Sequence, residues 1–137
     1  MIPIKGVVHF SIPVSDIEAS RRFYTEILGL KHFFTPPGGR MTFLKAGEDH
    51  VILVKSETRV ERSAWERRYI HHAFKVDAAD YDAAKAFLTA KGVEIFEEEN
   101  RARGVFVGRQ CYVRDPDGNT IEISEWDGTS ILEPGPG

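Results

Sequence analysis

Residues 114–124 read Arg114-Asp115-Pro116-Asp117-Gly118-Asn119-Thr120-Ile121-Glu122-Ile123-Ser124. Asp115 to Asn119 is turn chemistry: Pro116 presets φ for the first turn position, while Gly118 and Asn119 tolerate positive φ. A strand therefore restarts at Asn119 or Thr120. Alternation then puts Ile121 and Ile123 on one face and Thr120, Glu122 and Ser124 on the other. Glu122 sits mid-strand between two strongly apolar neighbours, and a buried carboxylate needs a cation, several donors or a metal ion beside it. The rest of the chain has to supply that partner.

A length of 137 residues allows one domain, or two half-size units sharing a core, and 42% hydrophobic residues fill it without disulfide staples. A net charge of −3 leaves no basic field for a polyanion, so nucleic acid is not expected as a partner. Cys111 is the single cysteine; it cannot close an internal disulfide and reads as a small packed residue in a reducing compartment. No apolar run approaches the roughly 20 residues of a membrane span. Met1 to Lys5 reads as the approach to a strand rather than a signal peptide. The expectation is a soluble cytoplasmic protein with no membrane partner.

Taken in order, residues 6–14 alternate, with Val7, His9 and Ser11 on one face and Val8, Phe10, Ile12 and Val14 on the other. Ser15 or Asp16 caps a helix whose apolar stripe is Ile17, Ser20, Phe23 or Tyr24, Ile27 and Leu28, closed by Gly29. Strands follow near 30–35, 41–46 and 50–54, the first two separated by the loop 36–40. Residues 57–68 are polar and charged and read as a linker with at most a helical turn. The second half repeats the order: a strand over 69–76, a helix capped by Asp77 and running to Ala90, a short strand over 93–97, a charged loop over 98–104, a strand over 105–114, and the strand of Glu122. The tail, 127–137, carries two Pro and three Gly and is expected to be flexible.

The order is βαβββ twice, an internal repeat. Repeat 1 covers 5–56 and repeat 2 covers 69–126. Laying His9 on His71 pairs Val14 with Val76 and Gly29 with Gly92 after one inserted residue. One such unit buries too little alone, so the two must share their sheet faces in an α+β fold with a cupped mixed sheet. His9 and His71 then hold one repeat position, opposite the helix-packing side chains, and converge with Glu122 if the repeats face each other or face a symmetry mate. Two imidazoles and a carboxylate bind a divalent ion and leave coordination positions open. His72 competes with His71; parity puts it on the helix side, and a one-residue change of register would exchange them. His32 and His50 fall at strand edges beside charged residues and read as solvated.

The set His9-Phe10-Ser11-Ile12-Pro13-Val14-Ser15-Asp16, Phe23-Tyr24, Leu28-Gly29-Leu30, His71-His72-Ala73-Phe74-Lys75-Val76 and Asp115-Pro116-Asp117-Gly118-Asn119-Thr120-Ile121-Glu122 resembles the vicinal oxygen chelate superfamily. Its members include glyoxalase I, fosfomycin-resistance proteins, an epimerase, extradiol dioxygenases and bleomycin-binding proteins. The resemblance implies paired βαβββ modules around a metal site, commonly in a homodimer, with His9, His71 and Glu122 as ligands of one divalent ion (Zn, Mn, Ni or Fe).

Within that family the reaction is read from departures. Glyoxalase I and the epimerase draw a fourth ligand from the strand equivalent to 51–54, where this chain has only Val-Ile-Leu-Val. Three ligands resemble the fosfomycin-resistance enzymes and the extradiol dioxygenases, both of which carry a Tyr at the position of Tyr112. The dioxygenases also use a further His in the second half, and none occurs between 73 and 137. On the fosfomycin side, Ser11 stands where those enzymes have a Thr near the substrate, and Gly108-Arg109 resembles part of their anion-binding strand. Gln110 replaces a frequent Ser, and Glu97-Glu98-Glu99 is acidic where thiol-transferring members carry a Lys; such a triplet would repel a phosphonate or glutathione.

The resulting expectation is a metal-dependent lyase or transferase acting on an oxygen-bearing small molecule, with a thiol as candidate cosubstrate. Tyr112 is its proton-shuttling residue, and Ser11, Arg109 and Gln110 are its substrate contacts. The loops 36–40 and 98–108 are candidate rims. Ring-cleaving dioxygenase and non-catalytic binding of a drug-like ligand are the alternatives.

Overall fold

The computed structural model describes residues 1–58 and 61–132. By backbone contact they divide into two units, Met1–Glu61 and Arg62–Gly137. In the first, β1 (His9–Val14) begins three residues later than its alternating pattern, because its parallel partner β4 (Asp49–Lys55) offers a first register at His9↔His50. The helix after it is α1 (Ile17–Arg22), capped by Asp16, whose carboxylate accepts from the Ala19 N–H at 2.9 Å. It continues as a π-helical turn, Phe23–Ile27, closed by Leu28 N–H donating to Phe23 C=O at 3.1 Å. That extra residue is why the apolar stripe could not choose between Phe23 and Tyr24; Tyr24 is the one buried. Gly29, at φ 77°, ends the element. With β2 (Lys31–Phe34) and β3 (Met41–Ala46) the sheet order is β1-β4-β3-β2. Its core is Ile12, Val14, Leu44, Val51 and Leu53.

The second unit opens on α2 (Ala64–Tyr69), inside the segment read as a linker. Ser63 and Glu66 form a complete capping box there, a Ser-x-x-Glu signal visible in the sequence. Then come β5 (His71–Lys75), α3 (Tyr81–Ala90, its N-cap Asp80 rather than Asp77), β6 (Glu97–Arg101), β7 (Gly108–Arg114) and β8 (Thr120–Ser124), in the order β5-β8-β7-β6. The acidic triplet is thus a strand, not a loop: Glu97, Glu98 and Glu99 pair in register with Tyr112, Cys111 and Gln110. The fold is α+β with two four-stranded mixed sheets of the same topology.

Register makes the repeat exact in residue terms. Phe10 pairs with Val51 and His72 with Ile121, so Ile52 stands in the first repeat where Glu122 stands in the second. Phe43, paired with Ile52, matches Tyr112, paired with Glu122. In the expected tail, Ile131 pairs with Gly104 through two backbone hydrogen bonds of 2.8 and 3.0 Å. Residues 133–137 of that tail lie outside the described residues. Among the described residues no helix is long and apolar enough to cross a membrane.

Candidate active site

The turn before β8 is built as its sequence requires. Asp115 accepts from the Asp117 and Asn119 backbone N–H groups at 2.9 and 2.8 Å, which fixes where β8 starts and so which residues face which way. Glu122 emerges 7% exposed. Its carboxylate Oε2 lies 2.9 Å from His71 Nε2, and the Nδ1 of the same ring lies 3.3 Å from the Arg68 carbonyl. Arg68 C=O accepts from Nδ1, which aims Nε2 at the carboxylate. The hydrogen bond that His71 donates to Glu122 holds the His71 pKa above its ordinary value, against an opposing cost of burial. His72, beside it, is shifted down by burial.

Tyr112 is fully buried directly across β7 and β8 from Glu122. Its ring meets His71 edge-on, centroids 5.6 Å apart at 85°. Its hydroxyl donates to Glu99 Oε2 at a long 3.4 Å, and burial, followed by the charges of Glu122 and Glu99, pushes the phenol up to about 12. It is therefore a protonated donor at neutral pH. The Arg68 guanidinium lies 4.5 Å over the same ring and pairs with Glu97 at 2.7 Å and Glu99 at 3.0 Å. Arg101 also pairs with Glu99, at 2.6 Å, and Lys85 pairs with Glu98. Each acid of the triplet thus has a cation, and the field expected to repel an anion is largely answered. Arg68 itself was missed by the sequence reading; the capping box that orients α2 was the available signal.

Gln110 lies on the Tyr112 side of β7, fully buried. Its Nε2 donates to Phe106 C=O at 3.1 Å, while its Oε1 has no partner among the described residues. A buried amide oxygen left without a donor costs about 1–3 kcal/mol, a cost that a donor from outside the described residues would relieve.

Arg109, an expected substrate contact, lies apart from these side chains. Being odd-numbered on β7 it points with Cys111 toward α3, pairing with Asp82 of that helix at 2.9 Å and with Glu125, just after β8, at 2.7 Å, and it lies 4.6 Å over Tyr81. It ties β7 to α3 rather than facing His71 and Glu122. His9 and Ser11, in the first unit, are exposed on β1.

Chemically, a ring nitrogen and a carboxylate oxygen side by side are the donors a first-row divalent ion takes, and the Nδ1 contact to Arg68 is the outer partner that orients a metal-binding imidazole. Among the described residues no group of three His, Cys, Asp or Glu is gathered; in the second unit the donors are these two.

A family model described as the Glyoxalase/Bleomycin resistance protein/Dioxygenase superfamily matches residues 6–123. Glutathione transferase FosA of Serratia marcescens is 31% identical over 121 residues, spanning 88% of this chain and 80% of the relative. Metallothiol transferase FosB of Staphylococcus epidermidis is 31% identical over 121 residues, spanning 88% and 81%. Among solved structures, a mutant of the fosfomycin resistance protein FosX from Listeria monocytogenes, complexed with Mn(II) and a dihydroxypropylphosphonic acid, superposes with a TM-score of 0.72 at 22% identity, covering 90% of this chain and 91% of that one.

Proposed function

The chain belongs to the glyoxalase/bleomycin resistance protein/dioxygenase superfamily, and from that premise we propose that it is a divalent-metal-dependent enzyme adding a thiol or water to an oxygen-bearing electrophilic small molecule. The observation that carries the proposal is the 2.9 Å pairing of His71 Nε2 with buried Glu122. The ligand set we propose adds His9, the residue at the equivalent repeat position, from the same chain or from a second copy. A bound ion would supply Lewis acidity toward a substrate oxygen. The similarity to a glutathione transferase and a metallothiol transferase, each 31% identical, supports transfer over a lyase reaction.

The chain's own groups have separate tasks. Tyr112, protonated at neutral pH, donates a hydrogen bond or its proton to the oxygen that gains charge. Glu99 holds the phenol's direction. Gln110 Oε1 accepts from a substrate hydroxyl or amine, which answers its missing partner. Ser11 supplies a further donor from β1. Arg109 is left out of substrate binding because Glu125 and Asp82 occupy it. A homodimer is part of the proposal: β1 is an edge strand, with Val7, Val8 and Phe10 exposed beside it. A cytoplasmic location, in keeping with the lone buried Cys111, is proposed with it.

The test is a panel of epoxides and 2-oxoaldehydes, each with water or a thiol, under Mn(II), Ni(II) or Zn(II). Turnover abolished by Glu122→Gln supports the proposal; none with any thiol or water removes it. A yellow ring-fission product from a catechol with Fe(II) and air would assign a dioxygenase instead. Equal, negligible metal in wild type, His9→Ala and Glu122→Ala would assign a non-catalytic binder.

A further inference from the structure

Five arginines of the described residues, Arg21, Arg40, Arg68, Arg101 and Arg109, each hold a carboxylate. Three others, Arg62, Arg67 and Arg114, line one open groove with Ala64, and none of the three has an ion-pair partner among the described residues. Like charges brought together repel, a cost that a bound anion would relieve.

Two of the three are held in place by contacts that leave donors available. Arg67 Nε donates to the Arg62 carbonyl at 3.1 Å, which fixes its stem against the start of α2 and leaves its two terminal nitrogens free to bind. Arg114 lies 4.6 Å over the Phe96 ring. A guanidinium stacked on an aromatic face keeps its N–H groups in its own plane, where a carboxylate, phosphate or phosphonate accepts them in pairs. Glu66, whose charge is felt by Arg62, is committed to the Ser63 N–H at 2.7 Å and so does not fill the groove.

We propose that Arg62, Arg67 and Arg114 form an oxyanion-binding groove for the phosphate, phosphonate or carboxylate group of a small molecule. Arg114 shares the β7 face of Tyr112 by alternation, and the Thr120 hydroxyl, on the Glu122 face of β8, donates to the Arg67 carbonyl. The groove therefore borders the side chains assigned to the reaction. Resting on that assignment, the substrate or its thiol cosubstrate carries an anionic group that this groove grips. The acidic triplet, paired with Arg68, Arg101 and Lys85, does not oppose it.

Calorimetric titration of the full chain with inorganic phosphate, as purified and again after chelator, tests the groove apart from the ion. Wild type binds phosphate in both states and more weakly as salt rises. R67Q/R114Q weakens binding at least about tenfold, and R62Q, a change at an arginine whose side chain holds no carboxylate among the described residues, weakens it about threefold, since charged hydrogen bonds are the strong ones. R22Q, an arginine outside the groove, and E122Q leave it unchanged. Absence of phosphate binding by wild type, or binding undiminished in both R67Q/R114Q and R62Q, overturns the proposal. Phosphate binding that is lost both after chelator and in E122Q would move the anion to an ion held at the His71–Glu122 site and overturn it equally. Groove binding in a wild type that takes up no Mn(II), Ni(II) or Zn(II) when supplied with them would leave the groove standing and remove only the reaction assigned to it.

Discussion

His71 Nε2 stands 2.9 Å from Glu122 Oε2 while its other nitrogen contacts the Arg68 carbonyl. The ring is oriented from behind, so Nε2 can serve one claimant at a time: a proton that bridges it to Glu122, or a metal ion that takes both groups as ligands.

That competition has a sign. The His71 pKa is raised, chiefly by its hydrogen bond with Glu122. Metal must displace the proton, so apparent affinity falls as pH drops through the raised value, by about tenfold per unit below it. Calorimetry of Mn(II) or Zn(II) binding in buffers of different ionisation enthalpy should show proton release on binding, and less per bound ion in Glu122→Gln, whose His71 returns toward its ordinary value.

In metal-free protein the same pair contributes stability in the opposite sense. A raised histidine pKa means the folded state binds the proton more tightly, so its stabilisation is fully present below the ordinary value of 6.5 and is lost as pH rises through the folded value. Thermal melts of metal-free wild type should fall more than those of Glu122→Gln across that interval; parallel curves would contradict the pairing.

Tyr112→Phe removes one long hydrogen bond, to Glu99. Stability should fall by no more than about 1 kcal/mol, metal content should be unchanged, and kcat should drop about a hundredfold or more if the phenol supplies the proton. A change in KM alone would make Tyr112 a packing residue.

Arg68→Met leaves Glu97 and Glu99 facing each other over Tyr112. All three are partly solvated, at 23%, 34% and 28% side-chain exposure, so the loss should be about 1–2 kcal/mol rather than the larger cost of a fully buried pair. Urea denaturation should show that loss and a partial recovery in Arg68→Met with Glu99→Gln.

Gly108 begins β7 at φ 120°, and an added Cβ would lie 3.1 Å from Glu125 Cγ. Gly108→Ala should destabilise by about 1–3 kcal/mol, with the Arg109–Glu125 tie loosened but metal content retained.

Much of this was legible because β-structure exposes its logic in parity. The turn from Asp115 to Asn119 fixed the phase of β8, and the same parity chose His71 over His72. Arg109 follows the rule too: its odd number puts it with Cys111, away from Tyr112, but its partners Asp82 and Glu125 are remote in sequence and gave no warning. β6 was hidden because Glu97 to Glu99 shows no apolar alternation; each acid is answered by a cation from elsewhere, so both faces read as polar. The limits of β1 depend on where β4 begins, which no local pattern contains. α2 was readable from Ser63 and Glu66, yet the charge around it resembled a linker.

The central claim is that His9, His71 and Glu122 bind one ion together. Metal analysis of protein purified without chelator, for wild type and for His9→Ala, His71→Ala and Glu122→Ala, tests it directly. About one equivalent of a divalent ion in wild type and its loss in each variant is the predicted result; metal retained in any of the three folded variants, or absent from wild type supplied with Mn(II), Ni(II), Zn(II) and Fe(II), would contradict it.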